Sequence, residues 1–199
     1  MRAGLVIACG FVACMLGASP AVAADSLRQP KQAPAEIDAL IEIPAGTSAK
    51  YELDPASGRM RLDRFQSMPV VYPVNYGFVP ASLAGDDDPL DVVVYTREPV
   101  YPGVLIRVRP IGVLQMTDGG ERDDKIVAVP TDAVDPTYAA MRDIGDLPPI
   151  ERDRLVAFFL TYKQLPAGRK QVDLLSIAGA ADARALVTEA MQREAARRR

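Results

Sequence analysis

The stretch Gly85-Asp86-Asp87-Asp88-Pro89-Leu90-Asp91 places four carboxylates within six residues, and Val92-Val93-Val94 follows directly. At an effective dielectric near 20, two such charges ~4 Å apart repel by roughly 4 kcal/mol. The chain can leave them in water or bind cations there. A solvated acidic turn ahead of a strand accounts for the composition. A divalent metal site accounts for it too, because hard cations such as Mg²⁺ take oxygen ligands and keep several waters. Pro89 fixes its own φ and biases Asp88 toward extended backbone. If that extension continues, Asp86, Asp88 and Leu90 share one side and Asp91 stands at the start of the strand. An EF-hand is excluded. It needs Gly at its sixth position and Glu at its twelfth, where Asp91 and Arg97 stand here.

A second acidic cluster, Asp118-Gly119-Gly120-Glu121-Arg122-Asp123-Asp124-Lys125, precedes the apolar run Ile126 to Val129. The Gly-Gly pair makes a turn, so Asp118 and Asp123 can face each other across its mouth. Alone, this is better explained by a solvated hairpin tip. Sorted by sign, the candidates fall into two sets. Glu42, Glu52, Asp86, Asp88, Asp91, Asp118 and Asp123 are acidic. Lys50, Arg64, Lys125, Lys163, Tyr72, Tyr76 and Tyr162 are basic or phenolic. Many carboxylates beside several fixed cations suit a polyanion that arrives with metal ions. Phosphoryl transfer has that requirement: metals activate water and clamp bridging oxygens while Lys and Arg hold the outgoing phosphate. A carboxylate not committed to metal accepts the water's proton. The residues thus point to metal-assisted hydrolysis of a small phosphate compound.

Composition narrows the field further. The chain has 199 residues, a formal charge of −3, no His, no Trp and two Cys. Without His there is no Ser-His-Asp triad, no imidazole general base and no imidazole ligand for Zn. The mild acidity argues against a nucleic-acid binder. Residues 1–23 read as a signal peptide. Arg2 is the charged start, Leu5 to Leu16 an apolar run short for a bilayer, and Ala21-Val22-Ala23 a small-x-small cleavage pattern. Cleavage after Ala23 predicts an exported, periplasmic or secreted chain without a membrane segment. Both cysteines, Cys9 and Cys14, go with the leader. Lipidation at either is the weaker alternative.

These residues need elements to carry them. Residues 24–36 read as a loose arm ahead of a single domain over 37–199. Leu40 to Pro44 reads as a strand with Ile41 and Ile43 on one face and Glu42 on the other. Lys50 to Asp54 and Arg59 to Phe65 form a hairpin around Pro55-Ala56-Ser57-Gly58. On it Lys50, Glu52 and Asp54 share a face, and Arg64 shares parity with Met60 and Leu62. Tyr72, Tyr76 and Phe78 share one parity between Pro69 and Pro80. Leu90 to Thr96 is a strand, and Val104 to Met116 a long strand or strand pair interrupted at Pro110-Ile111-Gly112. Tyr138 to Ile144 reads as a short helix. A longer one runs from Pro148 or Pro149 to Leu165, capped by Asp146, with Leu155, Phe158, Phe159, Tyr162 and Leu165 as its apolar stripe. A last helix spans about Asp182 to Arg197. Strands followed by helices predict an α+β, mainly β fold: a small closed barrel with helices packed outside.

Taken together, these residues resemble the soluble inorganic pyrophosphatases of family I, in their bacterial form. Asp86-Asp87-Asp88-Pro89-Leu90-Asp91-Val92 is similar to the family signature, Asp-x-Asp-Pro-hydrophobic-Asp. The resemblance extends from about Ile37 to Leu165 and includes Ile41-Glu42-Ile43-Pro44, Lys50-Tyr51-Glu52, Asp63-Arg64-Phe65, Tyr72-Pro73-Val74-Asn75-Tyr76-Gly77, Met116-Thr117-Asp118, Asp123-Asp124-Lys125 and Tyr162-Lys163. It implies a five-stranded OB-like barrel, commonly a homohexamer, that hydrolyses inorganic pyrophosphate with several Mg²⁺ per site, Mn²⁺ or Zn²⁺ being substitutes. Carried over by position, Asp86, Asp91, Asp118, Asp123 and Glu42 would serve the metals. Asp88 would be the general base for the attacking water. Lys50, Arg64, Tyr76, Tyr162 and Lys163 would bind the phosphates, with Glu52, Tyr72 and Lys125 in support. The rival readings are a hydrolase of nucleotides or short polyphosphate, and a non-catalytic exported metal- or phosphate-binding module. Ala157 and Thr161 stand where relatives often carry subunit-contact His, and the Trp residues common past Leu165 are missing.

Overall fold

The computed structural model describes residues 28–199; the predicted leader with Cys9 and Cys14 lies outside them. Nine strands and two α-helices follow in the order β1 (Ile37–Ile43), β2 (Ala49–Asp54), β3 (Arg59–Phe65), β4 (Asn75–Phe78), β5 (Asp91–Val94), β6 (Leu105–Asp118), β7 (Glu121–Arg122), β8 (Lys125–Pro130), α1 (Pro149–Thr161), β9 (Val172–Gly179) and α2 (Ala180–Arg197). Five strands pair in a closed circuit, β1-β4-β5-β8-β6, and β6 returns to β1. The expected barrel is therefore present as a ring of five strands. β9 adds to the far half of β6, while β2 and β3 form a separate two-stranded sheet.

Alternation along the β-branched strands builds two cores. Val93, Val127 and Val129 pack with Leu155, Phe158 and Phe159 of α1. Their neighbours Val92, Val94, Ile126 and Ala128 pack with Ala183, Val187 and Ala190 of α2. The ring thus has an apolar layer on each side, and each helix seals one of them.

Two bulges re-aim charged side chains. On β1, Ile41 pairs with Gly77 and Ile43 with Tyr76, so Glu42 is an extra residue with no partner. Such a bulge bends a strand and turns a side chain to a new direction. Ile41 consequently packs in the α2 core and Ile43 in the α1 core, rather than sharing a face as the alternation predicts. On β3, Lys50 pairs with Arg64 and Tyr51 with Leu62, leaving Asp63 as the extra residue. That shift breaks the predicted parity of Arg64 with Leu62. At Pro110-Ile111-Gly112 the long strand is continuous, and its expected interruption is a register shift that lets one strand serve β1, β8 and β9.

Several local expectations change. The arm is held down over the residues described: Gln29 bonds Asp38 through both backbone groups and donates to Pro80 O at 2.8 Å. In place of a helix over 138–144 there are two 3₁₀ turns, Pro136–Tyr138 and Ile144–Asp146. Asp146 does not cap α1; it closes a capping box with Asp143, and Pro148 stands at the α1 N-cap with no side-chain bond. Asp143 also accepts a 2.8 Å hydrogen bond from Ala180 N, capping α2 from a remote loop. Leu165 lies past the end of α1 and is exposed. Among the described residues no helix is long and apolar enough to cross a membrane.

At the other end of α2, Glu194 is buried and takes Arg197 at 2.7 and 2.9 Å and Arg198 at 2.5 Å. The Arg197 guanidinium, with Arg198 beside it, holds the carboxyl at about 2 against an ordinary 4.5, despite burial. The folded chain therefore binds this proton less tightly than the unfolded one. The stabilisation is present above pH 4.5 and is lost as pH falls through about 2. Glu194→Gln is expected to flatten the acid limb of a plot of Tm against pH across that window and leave the neutral side parallel to wild type.

Candidate active site

One cleft of about 690 Å³ gathers every candidate named from the sequence, fourteen side chains in all. The β1 bulge turns Glu42 into it, where one carboxylate oxygen accepts from Leu53 N at 2.8 Å. The β2–β3 hairpin brings Lys50, Glu52 and Arg64. The acidic loop and the first residue of β5 bring Asp86, Asp88 and Asp91. The β6–β7 turn brings Asp118 and, just beyond, Asp123. Lys125 opens β8. The end of α1 delivers Tyr162 and Lys163, and β4 with the segment before it delivers Tyr76 and Tyr72.

Aromatic packing fixes the floor. Tyr72 lies 4.7 Å from Phe158, Phe158 stacks on Tyr162 at 5.0 Å, and Phe159 meets Tyr162 edge-on at 5.8 Å. The apolar stripe of α1 is thus also the support that aims its last tyrosine. The Tyr72 hydroxyl accepts from Gln66 Nε2 at 2.8 Å, and burial pushes it up to about 12. Burial also raises Tyr76 and Tyr162, with Asp91 and Asp123 among the charges adding to it. All three phenols are therefore neutral at neutral pH and keep their protons for donation.

The charges are paired in a way that leaves specific atoms unmet. The ammonium of Lys125, almost wholly buried, meets both Asp91 and Asp123. Lys163 holds Asp118 Oδ2 at 2.5 Å, while Asp118 Oδ1 is buried with no hydrogen-bond partner among the described residues. Arg64 Nη1 meets Asp63, and its Nε is likewise buried and unmet. A buried unsatisfied group costs roughly 1–3 kcal/mol. An unmet acceptor and an unmet donor on one cleft suit a cation and an anion that bind together. Burial, then Asp91 and Glu52, push Glu42 up to about 7 against the pull of Leu53 N and Lys50. Asp88 is raised as well, first by burial and then by Asp86, Asp91, Glu52 and Asp87.

The lining carries eight carboxylates against six Lys and Arg. A polyanion entering such a cleft is repelled unless cations enter with it. The donors are oxygens only, which fits a hard divalent ion. Among the described residues no three acidic side chains converge on one point. Lys125 instead is the shared cation of Asp91 and Asp123, so two of the predicted metal carboxylates do reach a common positive charge.

The acidic loop departs from the extended run expected of it. Asp87 takes a left-handed φ of 67°, which Asp tolerates better than most residues. The turn sends Asp86 and Asp88 to the cleft and Leu90 to the α2 core, so Leu90 does not share their side. Asp91 opens β5, as predicted. Three lining charges lie outside the predicted set: Glu121, Arg122 and Lys170. The first two sit inside the second acidic cluster, where charge density is a signal. Lys170 has none in the sequence, since it reaches the cleft only through the pairing of β9 with β6.

A model of the family described as inorganic pyrophosphatase matches residues 39–195, which span the ring, the cleft and both helices. The chain belongs to the soluble inorganic pyrophosphatases of family I. It is 48% identical over 139 residues to an inorganic pyrophosphatase of Aquifex pyrophilus, covering 70% of this chain and 78% of that protein. It is 43% identical over 162 residues to one of Aeropyrum pernix, covering 81% and 92%. The crystal structure of inorganic pyrophosphatase from Thermus thermophilus superposes with a TM-score of 0.83 at 36% identity, covering 87% of this chain and 99% of that one. Membership accounts for the ring of five strands.

Proposed function

We propose that this pyrophosphatase hydrolyses inorganic pyrophosphate to two orthophosphates with Mg²⁺. The observation that carries the reading is that all fourteen candidates line one cleft, with an unmet buried acceptor on Asp118 and an unmet buried donor on Arg64. Asp86, Asp91, Asp118, Asp123 and Glu42 would hold the metal ions. Bound Mg²⁺ would lower the pKa of water and offset charge on the bridging oxygen. Lys50, Arg64, Tyr76, Tyr162 and Lys163 bind and orient the two phosphates. Water attacks one phosphorus, its proton passes to Asp88, and the bond to the bridging oxygen breaks, releasing orthophosphate. Lys125 and Glu52 hold the neighbouring carboxylates and Lys50 in place, and Tyr72 supports Tyr76 from 5.8 Å.

Phosphate release from pyrophosphate is expected to stop when EDTA removes divalent ions and to return with added Mg²⁺. Turnover of ATP at a rate comparable with pyrophosphate would overturn the substrate assignment. We further propose that residues 1–23 are removed on export, on the strength of the charged start, the apolar run and Ala21-Val22-Ala23. A mature chain whose first residue is not Ala24 would refute that cleavage. Exposed Ile150, Leu160, Leu175 and Ile177, on α1 and β9, support a homo-oligomer, with the hexamer as the expected size; light scattering measures it.

A further inference from the structure

The cations of the cleft differ in how firmly they are held. Lys163 sits on Asp118 at 2.5 Å with both side chains largely covered, 16% and 20% exposed. Arg122 bonds Asp124 at 2.7 Å, and Asp124 is further tied to Met116 N. Lys170 is different. Its Nζ lies 2.8 Å from Glu121 Oε2, but the two side chains are 59% and 71% exposed. An ion pair in that much water contributes little and exchanges partners readily.

The stem of Lys170 is nevertheless placed. Gly119 N donates to Gln171 O at 2.7 Å, and Asp118 pairs with Val172 at the start of β9. Gly119, at a φ of 63°, leaves room for the stem: a Cβ there would lie 2.9 Å from Lys170 Cδ. The backbone is therefore fixed beside Asp118 and only the ammonium end is loosely partnered. Lys170 lines the same cleft as Asp118 and Asp123, which sets its ammonium at the mouth of the site.

We propose that Lys170 is a further phosphate-contacting residue, whose ammonium leaves Glu121 for a substrate phosphate oxygen when the substrate binds. The proposal rests on the reading of the cleft as a pyrophosphate site. Glu121 acts there as a competing anion that holds the lysine at the mouth until the stronger charge arrives.

Initial rates of phosphate release from pyrophosphate with Mg²⁺ test it on the full chain. Lys170→Gln is expected to raise KM about tenfold with kcat within about twofold, the pattern of a lost binding contact. Lys170→Arg should restore most of the loss. Glu121→Gln, which removes the competitor, should lower KM by about two- to threefold. A Lys170→Gln enzyme whose KM stays within about twofold of wild type, or whose kcat falls at constant KM, overturns the proposal. Calorimetric binding of methylenediphosphonate with Mg²⁺ reads the same contact without turnover. If wild type releases no phosphate, the reading of the cleft fails; an equal Kd for wild type and Lys170→Gln in calorimetry sinks the Lys170 contact by itself.

Discussion

Asp88→Asn is expected to cut kcat on pyrophosphate by about 10²–10⁴-fold, the usual worth of a positioned general base. The substitution keeps the shape of the side chain and removes its ability to accept a proton. Asp88 is exposed and lies in the loop ahead of β5, so melting temperature should barely move. Partial desolvation in the cleft, followed by the charges of Asp86 and Asp91, raises its carboxyl, the direction that suits a general base. The metal carboxylates and phosphate cations are untouched by the change. KM should therefore stay close to wild type while the chemical step slows. Undiminished phosphate release from the purified variant would remove Asp88 from the reaction.

The second large effect falls on stability. A Cβ at Gly77 would lie 1.9 Å from Leu40 O, 2.8 Å from its carbonyl carbon and 2.9 Å from Ile41 Cα. These are backbone atoms of the neighbouring strand, so no rotamer relieves the overlap. The reason is space and not torsion, since β1 runs against Gly77 where its bulge begins. Gly77→Ala must either push β1 from β4 or open the ring. We expect roughly 3 kcal/mol or more to be lost, at the upper end of overpacking effects. A fall in the denaturant midpoint at constant slope reads it. If Glu42, which the bulge re-aims, serves metal as proposed, the surviving folded fraction should also need more Mg²⁺ for activity. A midpoint shift worth under about 0.5 kcal/mol would contradict this account.

How much of the site can be read from residue order depends on how each group is placed. Asp86, Asp88 and Asp91 are legible because one turn and one strand start hold them within six residues. Tyr162 and Lys163 are legible because an amphipathic helix ends there. Glu42 is identifiable as a candidate, but its aim is not readable. Parity assumes an unbroken pleat, and the bulge that turns Glu42 depends on the close approach of Gly77. Arg64 repeats the case through Asp63. β9 gives no signal because only one of its residues is fully buried and it shows no clean alternation. Lys170 is hidden with it, since nothing local to that loop says where it lands. The ring itself follows from the order of strand patterns, while its closing pair, β1 with β6, joins residues far apart along the chain.

The β2–β3 ribbon stands outside the ring, so the phosphate cations Lys50 and Arg64 and the carboxylates Asp86, Asp91 and Asp123 belong to separate sheets or the loops that feed them. The pocket is therefore a seam: Lys50, Glu52 and Arg64 face it from the ribbon, while Tyr76, Tyr162, Lys163 and the other acidic side chains face it from the ring and the end of α1. Breathing of the ribbon would shift Lys50 and Arg64 together, and with them the Leu53 N–H that bonds Glu42. Amide hydrogens of β2 and β3 should accordingly exchange with deuterium sooner than those of β8, all of whose residues are buried.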